Sequence, residues 1–75
     1  MTVNYTAIIR SMLPNKVQAV HDMHDPKGRH LRVILNPGKR ITQQEISKVM
    51  SYGHKVSSKE THGVHEIVRI EVRTQ

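Results

Sequence analysis

Six histidines, twelve Lys and Arg and six Asp and Glu are spread over 75 residues with no cysteine. Three kinds of chemistry suit such a set: metal ligation, acid–base work on a phosphate, and electrostatic recognition of an anion. The densest cluster, His21-Asp22-Met23-His24-Asp25, invites the first. Its surroundings read as a strand, and in a strand residues an odd number apart point to opposite faces, so His21 and His24 cannot chelate one ion. Catalytic zinc needs three convergent protein ligands, and neither a metal site nor a cofactor is expected. His54, His62 and His65 lie in or beside a C-terminal hairpin. Free imidazole titrates at about pH 6.5, so they could form a pH-sensitive patch, although plain surface histidines are the simpler expectation.

For nucleophilic catalysis there is no cysteine, and no serine stands in a G-x-S-x-G elbow. General acid–base cleavage of RNA needs less: a His or Glu, a cation for the phosphate and a basic groove. His30 beside Arg29 and Arg32 meets part of that list, as a small ribonuclease toxin would. No second catalytic group is fixed relative to His30, so a binding protein is expected rather than an enzyme.

The basic residues point the same way. Lys27 and Arg29 sit at one hairpin with Arg32 just beyond, Lys39 and Arg40 at a turn into a helix, and Arg69 and Arg73 on the last strand. With a formal charge of +6, the expected partner is nucleic acid, through its phosphates, or an acidic protein surface. The amides that open the helix could join Lys39 and Arg40 in holding a phosphate or carboxylate, in competition with Glu45. Two tyrosines, with no Phe or Trp, are too few for an aromatic stacking platform, which favours backbone or duplex-groove contact over the reading of a single strand.

Positioning these residues falls to a short series of elements. Val3, Tyr5, Ala7 and Ile9 alternate with Asn4, Thr6 and Arg10, which predicts a first strand over 3–12, with Ile8 and Met12 exceptions on the polar face. Leu13-Pro14-Asn15 breaks it. A second strand is predicted over 16–24, with Val17, Ala19 and Met23 sharing a parity. Asp25-Pro26-Lys27-Gly28 fits a type I hairpin turn, so a third strand, 30–35, pairs antiparallel with Leu31, Val33 and Leu35 inward and Arg32 outward. Asn36-Pro37-Gly38-Lys39 has the residue order of a type II turn.

Thr42 and Glu45 have capping-box spacing, and Gly53 suits a helix end, which predicts a helix of about ten residues with the stripe Ile46, Val49 and Met50. Residues 54–60 read as a polar edge strand and His62-Gly63 as a two-residue turn. The last strand places Val64, Val68, Ile70 and Val72 on one parity, with Glu66 an exception. His65, Arg69, Glu71 and Arg73 occupy the other parity with Ile67. The expected fold is α+β: a small antiparallel sheet with one helix packed on one face, in the order βββα followed by a C-terminal strand or hairpin.

The length suits a single domain over 1–75. The core must be aliphatic, since the apolar fraction is 36% with almost no aromatics. Residues 1–10 lack a basic segment followed by an apolar run, and no stretch approaches the roughly 20 apolar residues of a membrane span. No membrane insertion is expected, and the absence of cysteine suggests the cytoplasm.

Residues 37–49, followed by Gly53-His54-Lys55-Val56, are similar to the strand–helix–glycine–strand segment of small phycobilisome linker proteins, which are also basic. The Pro37-Gly38-Lys39 turn into the helix also resembles part of the HicA-type ribonuclease toxins. Two unrelated families meet on one short segment, which marks generic turn-and-cap chemistry rather than membership of either. The resulting expectation is a small accessory binding protein on nucleic-acid phosphates. The alternatives are a protein-interaction module, such as a linker or a phage-type inhibitor, and a small ribonuclease.

Overall fold

A computed structural model describes residues 4–26 and 28–72. The first element departs from the expectation: it is a helix, α1 (Tyr5–Met12), not a strand. Alternation over this stretch coincides with a second spacing, Tyr5, Ile8, Ile9 and Met12, which is the i, i+3, i+4, i+7 stripe of a helix. Ile8 and Met12, exceptions to a strand pattern, are members of this one. The Asn4 side chain caps α1 by accepting from the Ala7 amide at 3.1 Å, satisfying one orphan donor. Pro14 follows, and Asn15 takes φ 63° in the turn.

Next come β1 (Val17–Asp25) and β2 (Gly28–Leu35), an antiparallel hairpin whose last pair is Asp25 opposite Gly28. The Asn36–Lys39 turn has Gly38 at φ 76°, and the Lys39 amide donates to the Asn36 carbonyl at 3.0 Å. This is the type II geometry that its Pro-Gly order demands. Helix α2 (Gln43–Ser51) opens on the expected capping box: the Glu45 amide donates to Thr42 Oγ1 at 3.2 Å, and Glu45 Oε1 accepts from the Thr42 amide at 2.8 Å. Gly53, at φ 109°, turns the chain into β3 (Lys55–His62), which a tight turn joins to β4 (His65–Glu71). That turn is Gly63-Val64, one residue later than expected, because His62 still pairs with His65. Val64, assigned inward from its parity, is therefore at the tip and 63% exposed.

The order along the chain is αββαββ, with two helices rather than one, and the four strands run β1-β2-β4-β3 with every neighbouring pair antiparallel. The two hairpins thus meet edge to edge through β2 and β4. Both helices cover one face. Ile9, Leu13, Val49, Leu31, Val33, Leu35, Val68 and Ile70 are fully buried there, each contributing roughly 1.5–3 kcal/mol by leaving water. Val49 lies at the centre of the α2 stripe, whereas Met50, expected beside it, is 54% exposed.

Two polar devices tie the layers together. Arg10 reaches from α1 to donate to the carbonyls of Val17 at 2.9 Å and Gln18 at 3.2 Å on the edge strand β1. Glu66, the acidic exception on the inward parity of β4, is buried and accepts from the Ile41 amide at 2.8 Å. It secures the segment leading into α2, which explains a carboxylate in an apolar row.

A bulge between Val17 and Ala19 reverses the faces of β1. Val17 points into the core, but Ala19, His21 and Met23 are carried to the uncovered face, so the expected shared parity of Val17, Ala19 and Met23 does not hold. Ala19 faces Ile34 across the ladder, His21 faces Arg32 and Met23 faces His30.

Candidate binding face

Opposite the helices lies a face of the sheet that neither described helix covers. Residues directly across a ladder share a face, so the pairing registers map this surface. One row crosses all four strands as His21, Arg32, Arg69 and Ser58. On one side of it lies the row Met23, His30, Glu71 and Lys55, and on the other Ala19, Ile34, Ile67 and Glu60. His62 and His65 close the last row at the β3–β4 end. His30, Arg32, Ser58, Glu60, His62 and Arg69 line a shallow concavity of about 220 Å³ on this surface.

Arg32 and Arg69 lie directly opposite each other on the two central strands. Like charges in that position destabilise a sheet. Arg69 has a neighbouring carboxylate, with its Nε donating to Glu71 at 3.1 Å, an exposed pair worth less than about 1 kcal/mol. Arg32 has no hydrogen bond or ion pair with a described side chain. Among the side chains described, the other acid on this face, Glu60, is engaged with His62 at 3.1 Å.

The remaining basic candidates are elsewhere. Arg29, adjacent to His30 in sequence, points to the helix side. Its Nε donates to Asp22 at 2.8 Å and a second nitrogen bonds the same carboxylate, while its guanidinium lies 4.6 Å over the Tyr5 ring. The bond from Arg29 holds the Asp22 carboxyl below its usual range and raises Arg29 in return. Strand alternation therefore splits the expected His30, Arg29 and Arg32 grouping across two faces.

Lys39 and Arg40 sit beside the Gly63-Val64 turn at one end of the molecule. Arg40 approaches Glu66 at 3.6 Å and Thr61 at 3.5 Å. The helix start next to them is occupied from within: Thr42 and Glu45 satisfy each other's amides, and Lys16 bonds Glu45 at 2.8 Å. Hydrogen bonds from Lys16 and Thr42 outweigh burial and keep the Glu45 carboxyl low, so a carboxylate already fills the position an anion would take. Lys27 and Arg73 lie outside the described residues.

His54 parts company with His62 and His65. It is 9% exposed on the covered side, with ring centroids 5.8 Å from Tyr5 and 5.4 Å from Tyr52. Neither ring nitrogen has a hydrogen-bond partner among the described residues, and burial pushes its pKa down. It is a packed core residue, not part of a surface patch. His21 and His24 do fall on opposite faces, as strand geometry requires, opposite Arg32 and Arg29 respectively. Among the described residues no three His, Asp or Glu converge as metal ligands. No described helix is long and apolar enough to cross a membrane.

Sequence reasoning placed Arg32 and Arg69 outward but missed that they occupy paired positions, and it missed His21 in the same row. The first depends on strand order and the second on the bulge. Comparison with protein-family models, with curated proteins and with solved structures finds no match for this chain.

Proposed function

We propose that this chain is a small binding protein whose uncovered sheet face, centred on Arg32 and Arg69, contacts nucleic-acid phosphates. The observation that carries the reading is the arginine pair itself. Two arginines at directly paired positions of the central strands put like charges next to each other on one face, an arrangement that is unfavourable in the free protein. A bound phosphate would remove that repulsion and replace the weak Arg69–Glu71 pair with charge-assisted hydrogen bonds. Arg29, neutralised by Asp22, adds little. Lys39 and Arg40 extend the positive field from one end without belonging to the same surface.

The test is a salt titration of the full chain with labelled oligonucleotides. Affinity should fall linearly with salt on a log–log plot, and Arg32→Ala and Arg69→Ala should each reduce the slope by about one. If no oligonucleotide binds even at low salt, the reading fails and an acidic protein surface becomes the partner to seek.

A further inference from the structure

Beside the arginine row runs a row that phosphate binding leaves unused. Ile34 and Ile67 face each other on β2 and β4, half-buried, on the side of the sheet that no helix covers, with Ala19 next to Ile34 on β1. Neither isoleucine belongs to the core, which is built from the other parity of the same strands. Successive same-face residues of a strand are about 7 Å apart, so a cationic track and an apolar track run in parallel across the sheet. His21 lies in the first track, and His30 is one step beyond it.

Resting on the phosphate-binding reading, we infer that the ligand of this face is a single strand of nucleic acid, laid across the four strands with its phosphates along Arg32 and Arg69 and its bases over Ile34 and Ile67. A single strand exposes a charged edge and apolar base faces side by side, the same division the two tracks make. A duplex hides its base faces by stacking them. Its major groove is about 12 Å wide and admits a helix or a two-stranded ribbon, whereas four strands at about 4.8 Å spacing span about 14 Å. This face would therefore meet a duplex only along its backbone, leaving the isoleucines uncovered.

The missing aromatic platform is no obstacle here. Imidazole rings and guanidinium planes also stack on bases, and His21, His30, Arg32 and Arg69 are together on this surface while both tyrosines lie elsewhere.

The test compares a short labelled oligouridylate, the matching oligothymidylate and a duplex of the same length, each titrated by fluorescence anisotropy at one low salt concentration. Both single strands should bind about tenfold or more tighter than the duplex. Ile34→Ser with Ile67→Ser should weaken single-strand binding about tenfold, in keeping with the loss of base stacking, and leave the salt slope unchanged. A duplex that binds as tightly as the single strands overturns the inference while the phosphate-binding reading stands, and that comparison needs no variant to fold. Unchanged binding by a folded Ile34→Ser, Ile67→Ser protein would also overturn it. Absence of binding to all three probes would overturn both.

Discussion

The two faces of this sheet use the same residue types in opposite ways. On the covered face three polar groups are matched or enclosed: Arg29 is bonded to Asp22 and stacked on Tyr5, Glu66 holds the Ile41 amide, and His54 is packed between two tyrosines. On the uncovered face Arg32 stands against Arg69 with no carboxylate partner among the described side chains, beside His21 and His30. Two arginines of opposite parity on one strand, Arg29 and Arg32 on β2, thus serve different ends. The lesson is that basic composition alone does not separate the cations that hold the fold from those that stand on an uncovered surface. Of the five basic candidates among the described residues, Arg29, Lys39 and Arg40 are engaged in holding the fold or lie at its rim, and what distinguishes Arg32 and Arg69 is a neighbour of the same sign.

The largest effect expected from breaking this division is on the covered side. Val68 is fully buried against the helices, and Val68→Asp should unfold the domain, because an unpaired buried carboxylate costs several kcal/mol against a total of about 5 kcal/mol or less. Circular dichroism should show loss of the folded signal at neutral pH. A stable, folded variant would mean that the covered parity has been assigned to the wrong face.

Next in size is the Glu66 clasp. Glu66→Ala should lower stability in urea by about 1–3 kcal/mol by leaving the Ile41 amide without an acceptor, and Glu66→Gln, which keeps an acceptor, should cost less. Equal losses in the two variants would show that the amide bond is not what Glu66 provides.

His54 gives the covered face a pH signature. Its folded pKa lies below the unfolded value of 6.5, so below that pH the unfolded chain binds more protons. Stability should then be unaffected by His54 at higher pH and fall as the pH drops from about 6.5 toward the folded value. Urea unfolding at several pH values should show this decline in the native protein and a flatter one in His54→Phe, with the two converging in slope above neutrality. Identical profiles would place His54 in water.

A smaller effect sharpens the contrast within β2. Arg29→Ala should leave the salt slope of oligonucleotide binding nearly unchanged, whereas Arg32→Ala lowers it by about one. Equal slopes for the two variants would erase the distinction between a spent and an available arginine.

Much of this architecture was legible in the sequence where local signals act alone. The Asp-Pro and Pro-Gly turns, the Thr42–Glu45 box and Gly53 delimit β1, β2, α2 and β3, and strict alternation fixes the inward set of β2 and of β4 from Val68 onward. The first segment misled because the residues 5, 8, 9 and 12 serve a helix while 3, 5, 7 and 9 imitate a strand, and only a sheet to pack against decides between them. The candidate face was less legible. Arg32 opposite Arg69 follows from β2 lying beside β4, which no local pattern encodes, and His21 reaches the same row only through the bulge after Val17.

The most direct measurement is an amide chemical-shift map of the labelled protein as a short single-stranded oligonucleotide is added at low salt. Shifts should concentrate on the central strands and their flank on β1, at His21, His30, Arg32, Ile67 and Arg69, with the helices little changed. Shifts confined to Lys39, Arg40 and the start of α2, with the sheet unmoved, would contradict the assignment of binding to the uncovered face.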